Sequence, residues 1–416
     1  MNSADLENYQ TGDAAAALAN NALPAGFGLY GVRSGISSVE GKKDLALFWS
    51  FRPARAAGVF TKNLVKAAPV RLCQDRLKKG KAFRGILINS GCANACTGAR
   101  GRKDAEESLQ FLAEGMSIRS GELLAASTGV IGRFLPMDRM SVGVAGLLDA
   151  VEGNAASVED AVRAIMTTDT RPKAAAERFD FGGIPYRVWG CAKGAGMIHP
   201  NMATMLSVVL TDAGLPQKVL RAALRKAADR SFNRVTVDGD TSTNDSLFLL
   251  ANGAVKDFAA PPKKFVELFQ AALNRVCLSL AVQIAADGEG ATRTAWIFIE
   301  GARTEAAAAK LAATVATSPL FKTALNGADP NWGRVLAAMG RAGVPFDPDK
   351  TEVKFGDVVV YDQGTKTAYD EAALHELLKK DRVVVRADLR AGKASSFAVT
   401  CDFSKEYVSI NADYTT

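Results

Sequence analysis

The stretch "KGAGMIHPNMATMLSVVLTDA", from Lys193 to Ala213, runs a glycine-rich polar loop straight into an apolar segment that opens at Thr204. The segment "TMLSVVLTD" has the length and composition of a strand, and its near-continuous apolar character suits a strand covered on both faces. The loop ahead of it carries more chemistry than a turn needs. A threonine hydroxyl is a weak nucleophile and requires a nearby base. If the bond before Thr204 were broken, the freed α-amine, with an unperturbed pKa of about 8, would supply that base. Burial would lower it further, and the glycines ahead of it permit strained backbone near a cleavage point. On these residues alone, a β-branched residue heading a strand is more often structural.

Working outward, strand and helix signals alternate, which predicts an α/β or mixed α+β protein. "GILINS" at 85–90, "ELLAAST" at 122–128, "PYRVWGCA" at 185–192, "TRTAWIFIEG" at 292–301 and "VVVRADL" at 383–389 read as strands. Helix patterns cover 102–116, 157–166, 216–232 and 261–286. Ser157 with Asp160 three residues on has the spacing of a capping box. "TEAAAAKLAA" is helix-favouring alanine. No clean linker separates these elements, so the lobes are expected to pack into one body.

Composition narrows the chemistry. The chain has 416 residues, a net charge of +7, six cysteines and two histidines. Sparse cysteines argue against a disulfide framework. Cys92 and Cys96 in "GCANAC" lack the usual two-residue gap of a zinc pair and read as plain thiols. Two histidines exclude a histidine-rich centre, so neither metal nor cofactor is expected. His375 lies on an amphipathic helix and reads as a surface residue. His199 reads as a loop residue near Thr204. The basic run "RLKKGKAFR" at 76–84 reads as a solvated loop, and nucleic acid is not expected as a partner. No segment reads as long and apolar enough to span a bilayer, and the polar, acidic start "MNSADLENYQTGD" is unlike a secretory leader. A cytoplasmic protein without membrane partners is expected.

"KGAGMIHPNMATML" resembles the signature of the ornithine acetyltransferase family, also called the bifunctional glutamate N-acetyltransferase family of arginine biosynthesis. The resemblance extends through "NSGCANACTG" at 89–98, "STGVIG" at 127–132, "AIMTTDTRPK" at 164–173, "DGDTSTNDS" at 238–246, "DGEGATR" at 287–293, "NGADPNWGR" at 326–334 and the ending "INADYTT". It implies self-cleavage between Ala203 and Thr204, giving an α-chain 1–203 and a β-chain 204–416 that interlock as one body. Thr204 would then be the catalytic nucleophile. Thr128 and Gly129 would form the oxyanion hole. Thr167, Lys193, Thr204, Glu289, Asn411 and Thr416 would bind substrate, with Thr168 an alternative to Thr167.

The implied fold is a two-lobed α/β body like that of the self-cleaving aminopeptidases. The implied assembly is an α2β2 dimer of cleaved pairs. The implied reaction is a ping-pong transfer of acetyl from N2-acetylornithine to glutamate, with no cofactor. Acetyl-CoA is expected as a second donor on the strength of the resemblance alone. A lysine can meet a carboxylate and a glutamate an ammonium, but the residues do not say which charge meets which substrate group. Two rivals remain: a self-cleaving aminopeptidase or amidase, in which water replaces glutamate, and an uncut binding protein.

Overall fold

A computed structural model describes Leu6 and residues 9–80, 82–199 and 205–413. Mixed α/β architecture is built on two sheets. The larger contains β1 (Phe27–Val32), β2 (Leu45–Phe60), β3 (Phe83–Asn89), β4 (Leu123–Ser127), β5 (Lys173–Phe181), β6 (Ile184–Lys193), β7 (Leu206–Gly214) and β9 (Ser246–Asp257), in the order β4-β3-β2-β9-β7-β6-β5 with β1 paired to β2. The smaller contains β8 (Val235–Thr236), β10 (Thr294–Ala302), β11 (Glu352–Phe355), β12 (Val358–Asp362), β13 (Thr365–Lys366), β14 (Arg382–Asp388) and β15 (Ala394–Cys401). In it β10 pairs parallel to β14 and antiparallel to β15.

The strand at the centre of the sequence argument is central in space. β7 lies between β6, antiparallel, and β9, parallel. Val209 packs into one apolar cluster while Val208 and Leu210 pack into another on the opposite face. Both faces are therefore dry, which is why the run lacks the polar alternation of a half-exposed strand. The register pairs Lys193 with Leu206. The chain thus leaves the sheet and re-enters it at facing positions.

Between the sheets lies a long helix, Lys263–Ala286, which packs on β5, β6 and β15. Its core includes Trp296, Phe298 and Phe397 of the smaller sheet, so the two sheets share one interior. This helix corrects one sequence expectation. It is long and apolar enough to cross a membrane by length and composition, yet 61% of its apolar window is buried inside the protein. A core helix between two sheets has apolar neighbours on most sides, so it loses the polar face of a surface helix.

Three local readings also change. The run 76–84 is a loop only in its middle, and its two ends belong to a helix and a strand. Arg76 sits near the end of helix Ala68–Lys78 and donates to Leu123 O at 2.6 Å, while Arg84 lies in β3 with its guanidinium over Trp49. The helix read from 102 begins at Gly98. His375 is half-buried, and its Nδ1 lies 2.9 Å from Ala328 O, pinning the "NGADPNWGR" segment. The Ser157 cap stands: its hydroxyl accepts the Asp160 N–H at 3.2 Å.

Candidate active site

Thr128 and Gly129 follow the end of β4. Their position is set from behind by polar side chains. Thr128 N–H donates to Asn89 O at 3.0 Å, and Ser127 Oγ donates to Asn89 Oδ1 at 2.6 Å. Asn244 Nδ2 bridges Ser127 O and Ala93 O at 2.7 and 2.6 Å. Gly129 has φ +127°, and a Cβ there would lie 2.4 Å from the Gly91 carbonyl carbon. Only glycine fits both the conformation and the space. Its N–H donates to no backbone carbonyl among the described residues, and Gly129 borders a pocket.

Lys193, the last residue of β6, extends into the same corner and is only 8% exposed. Its ammonium donates to Thr167 Oγ1 at 2.7 Å and Thr128 Oγ1 at 3.2 Å. Burial lowers its pKa, and the nearby Asp169 carboxylate works against that shift. Asp169 accepts from Thr167 N–H at 2.9 Å, Gly194 N–H at 2.6 Å and Lys173 Nζ at 2.6 Å. Lys173 also donates to Asp287, which in turn accepts from the Thr170 hydroxyl. All three charged side chains of this cluster are buried. The cluster ties the Thr167 loop, the end of β6 and the end of the long helix to one another.

The excursion between β6 and β7 is held at both ends. Met197, at φ +56°, and Ile198 present their N–H groups to Asp238, whose carboxyl burial pushes up to about 6. His199 is half-buried with Nδ1 3.4 Å from Thr236 Oγ1, and burial lowers its pKa. At the far end, Met205 N–H donates to Asp245 Oδ1 at 3.0 Å. Asp245 is fully buried, burial drives its carboxyl well above the usual range, and its Oδ2 has no partner among the described residues. Ala203 and Thr204 lie outside the described residues.

Across the pocket stands Glu289, 9% exposed, on the loop after the long helix. Its N–H donates to Ala195 O at 2.9 Å, and its carboxylate accepts from Asn411 Nδ2 at 2.9 Å. A Cβ on Gly196 would come within 2.3 Å of that carboxylate, so the glycine makes room for it. Asn411 belongs to helix Lys405–Asp413, which docks through Ser404 Oγ to Gly290 O at 2.6 Å. Asp402 anchors the segment before it, accepting from Thr292, Arg293 and Asn326. Thr416 lies outside the described residues.

Thr128, Gly129, Thr167, Lys193, Glu289 and Asn411 therefore line one pocket, and Thr168 borders it too. The arrangement offers neutral and cationic donors on one side and a buried carboxylate on the other. The model of the ArgJ family matches residues 29–416. The chain belongs to that family. The "Arginine biosynthesis bifunctional protein ArgJ" of Symbiobacterium thermophilum is 48% identical over 94% of this chain and 98% of its own. That of Dehalococcoides mccartyi is 46% identical over 94% and 96%. The crystal structure of ornithine acetyltransferase complexed with ornithine from Mycobacterium tuberculosis is 39% identical, covering 44% of this chain and 95% of that chain at a TM-score of 0.40. Membership bears out the reading of an arginine-biosynthesis acetyltransferase.

Asp169, Lys173, Asp245 and Asp287 escaped the sequence reading as site residues. Each falls inside a motif already singled out: "AIMTTDTRPK", "DGDTSTNDS" or "DGEGATR". What was missing was their mutual contact, since Lys173 and Asp287 are 114 positions apart. The Gly129 geometry yields a direct expectation. Gly129→Ala should lower the urea midpoint by an amount equivalent to about 1–3 kcal/mol, from positive-φ strain and the clash with Gly91. Unfolding curves of both proteins measure it, and an unchanged midpoint would mean the turn is not constrained as described.

Proposed function

We propose that the pocket carries acetyl from N2-acetylornithine to glutamate through Thr204, after the chain has cut itself between Ala203 and Thr204 into segments 1–203 and 204–416. The observation that supports this best is the polarity of the pocket. Glu289 forms no ion pair among the described residues, although it is buried, and it faces the Lys193–Thr128–Thr167 corner. A buried carboxylate without a cation in direct contact is costly, and a substrate ammonium would offset that cost.

In this reading Thr204 Oγ attacks the acetyl carbonyl while its own α-amine takes the hydroxyl proton. Gly129 N–H and the Thr128 hydroxyl receive the oxyanion. Collapse breaks the amide bond, the proton passes to the leaving nitrogen, and ornithine departs from an acetyl ester on Thr204. The glutamate amine then attacks that ester through the same steps in reverse, giving N-acetylglutamate and free Thr204. Asn411 holds the Glu289 carboxylate, and Thr416 contacts substrate in this reading. Acetyl-CoA is a second donor in this scheme, since the ester does not depend on the acetyl source. The working assembly is an α2β2 pair of cleaved chains in the cytoplasm.

The test follows labelled acetyl from acetylornithine. Label in N-acetylglutamate supports the transferase, whereas free acetate regardless of glutamate would indicate the hydrolase. Glu289→Gln keeps the shape and removes the charge. Transfer should fall about 10- to 100-fold, the worth of a charge-assisted hydrogen bond, while cleavage proceeds. Normal transfer would remove Glu289 from the substrate site.

A further inference from the structure

Lys193 is matched by resemblance to a substrate-binding position, yet its ammonium is already engaged by two threonines. We propose that Lys193 acts on the Thr128 hydroxyl rather than on a substrate carboxylate, and that Asp169 is the positioning residue that holds it there. The proposal rests on the acyl-transfer reading above and assigns the corner a division of labour.

A hydroxyl has one proton. Thr128 Oγ1 accepts from Lys193 Nζ, and it donates to no protein group among the described residues. The hydroxyl proton is therefore free to face the pocket that Thr128 lines. An ammonium bonded to the hydroxyl oxygen draws electron density from it and makes the O–H a stronger donor. Thr167 accepts the second ammonium proton at 2.7 Å and fixes its direction. Two of three ammonium protons are thus committed before substrate arrives, which suits a polariser better than a carboxylate clamp.

Asp169 organises this from behind. One carboxylate oxygen takes the Thr167 N–H, and the other takes the N–H of Gly194, next to Lys193. It therefore grips the backbone on both sides of the Lys193–Thr167 bond. Its charge is also not exhausted by Lys173. Asp169 and Asp287 face Lys173 together, so that buried cluster keeps a negative excess that Lys193 balances. The exposed Arg171 adds only a solvent-screened partner to Asp287 at 3.7 Å. The other groups acting on Lys193 are Lys42 before β2 and Lys173, both opposing its charge, and Glu289, which favours it; Asp245 also lies near, but burial drives its carboxyl well above the usual range.

Steady-state kinetics with both substrates test the assignment. Lys193→Met should lower kcat about 10²-fold, the scale for losing one oxyanion donor, with KM for acetylornithine and glutamate little changed. Thr128→Val should do the same. The double variant should be no worse than either single one, because both remove one shared function. A rise in KM at unchanged kcat, or losses that multiply, would overturn the proposal in favour of a clamp.

Asp169→Asn supplies a readout that mere structural damage would not give. Burial already holds Lys193 below its ordinary value, and losing the Asp169 charge lowers it further. The alkaline limb of kcat should therefore move to lower pH in the folded variant. An unmoved limb would overturn the role of Asp169, while the Lys193 and Thr128 cycle stands independently of how well that variant folds. Wild-type protein that forms no N-acetylglutamate would sink the transferase reading itself, a result distinct from any of these.

Discussion

Replacing Thr204 by alanine is expected to leave one uncut chain of 43.9 kDa and to cut acetyl transfer by about 10⁴-fold or more, as when a nucleophile that works as part of a unit is lost. Both losses should occur together, because in the proposed mechanism one hydroxyl attacks the Ala203 carbonyl during processing and the acetyl carbonyl during turnover. The variant should remain folded. β7 is held by contacts of other residues: Met205 N–H on Asp245, Ser246 N–H on Met205 O, and the paired strands β6 and β9. Thr204→Ser keeps the hydroxyl and should retain both reactions at a lower rate. Intact mass spectrometry of each protein, alongside transfer assays, reads the outcome. Wild-type protein that is fully active as a single uncut chain would remove self-processing from the mechanism.

Replacing Lys173 by methionine should have the largest effect on stability. It leaves Asp169 and Asp287 buried and facing one another without the ammonium between them. Removing one partner from a buried ionic cluster costs about 3–5 kcal/mol, far more than the loss of an exposed pair. Transfer should fall as well, since the cluster aligns Thr167, Gly194 and the loop leading to Glu289. The pH dependence identifies the cause. Burial opposes ionisation of Asp169, but Lys173, Lys193 and the Gly194 N–H outweigh it, and its carboxyl lies below the ordinary value. A depressed carboxyl contributes stability that is fully present above the unfolded pKa, about 3.9, and is lost as pH falls through the folded one. Without Lys173 the buried Asp169 carboxylate loses its principal counter-charge, a loss that matters only while it is ionised. The gap in urea midpoint between wild type and Lys173→Met should thus be widest at neutral pH and narrow as pH falls below the unfolded value toward the lower folded value of Asp169. A gap that does not change with pH would point to lost packing rather than lost charge.

The sequence by itself determined the elements whose signal is local. β7 was legible because both of its faces are dry, which writes a continuous apolar run into consecutive positions. The long helix was legible from its period and its prolines at the start, although its burial between two sheets made it apolar enough to pass for a membrane span. The motifs also named the pocket residues Thr128, Gly129, Thr167, Lys193, Glu289 and Asn411, which line one cavity. Tertiary structure alone decided what those residues touch. Lys193 meets Thr128 across 65 positions and Glu289 meets Asn411 across 122. His375 became a clasp on Ala328 only because its helix packs beside that carbonyl. Periodicity records how a segment meets solvent, so it survives in the linear order. Which buried charge balances which depends on the closure of distant loops around one pocket, and no spacing along the chain carries that information.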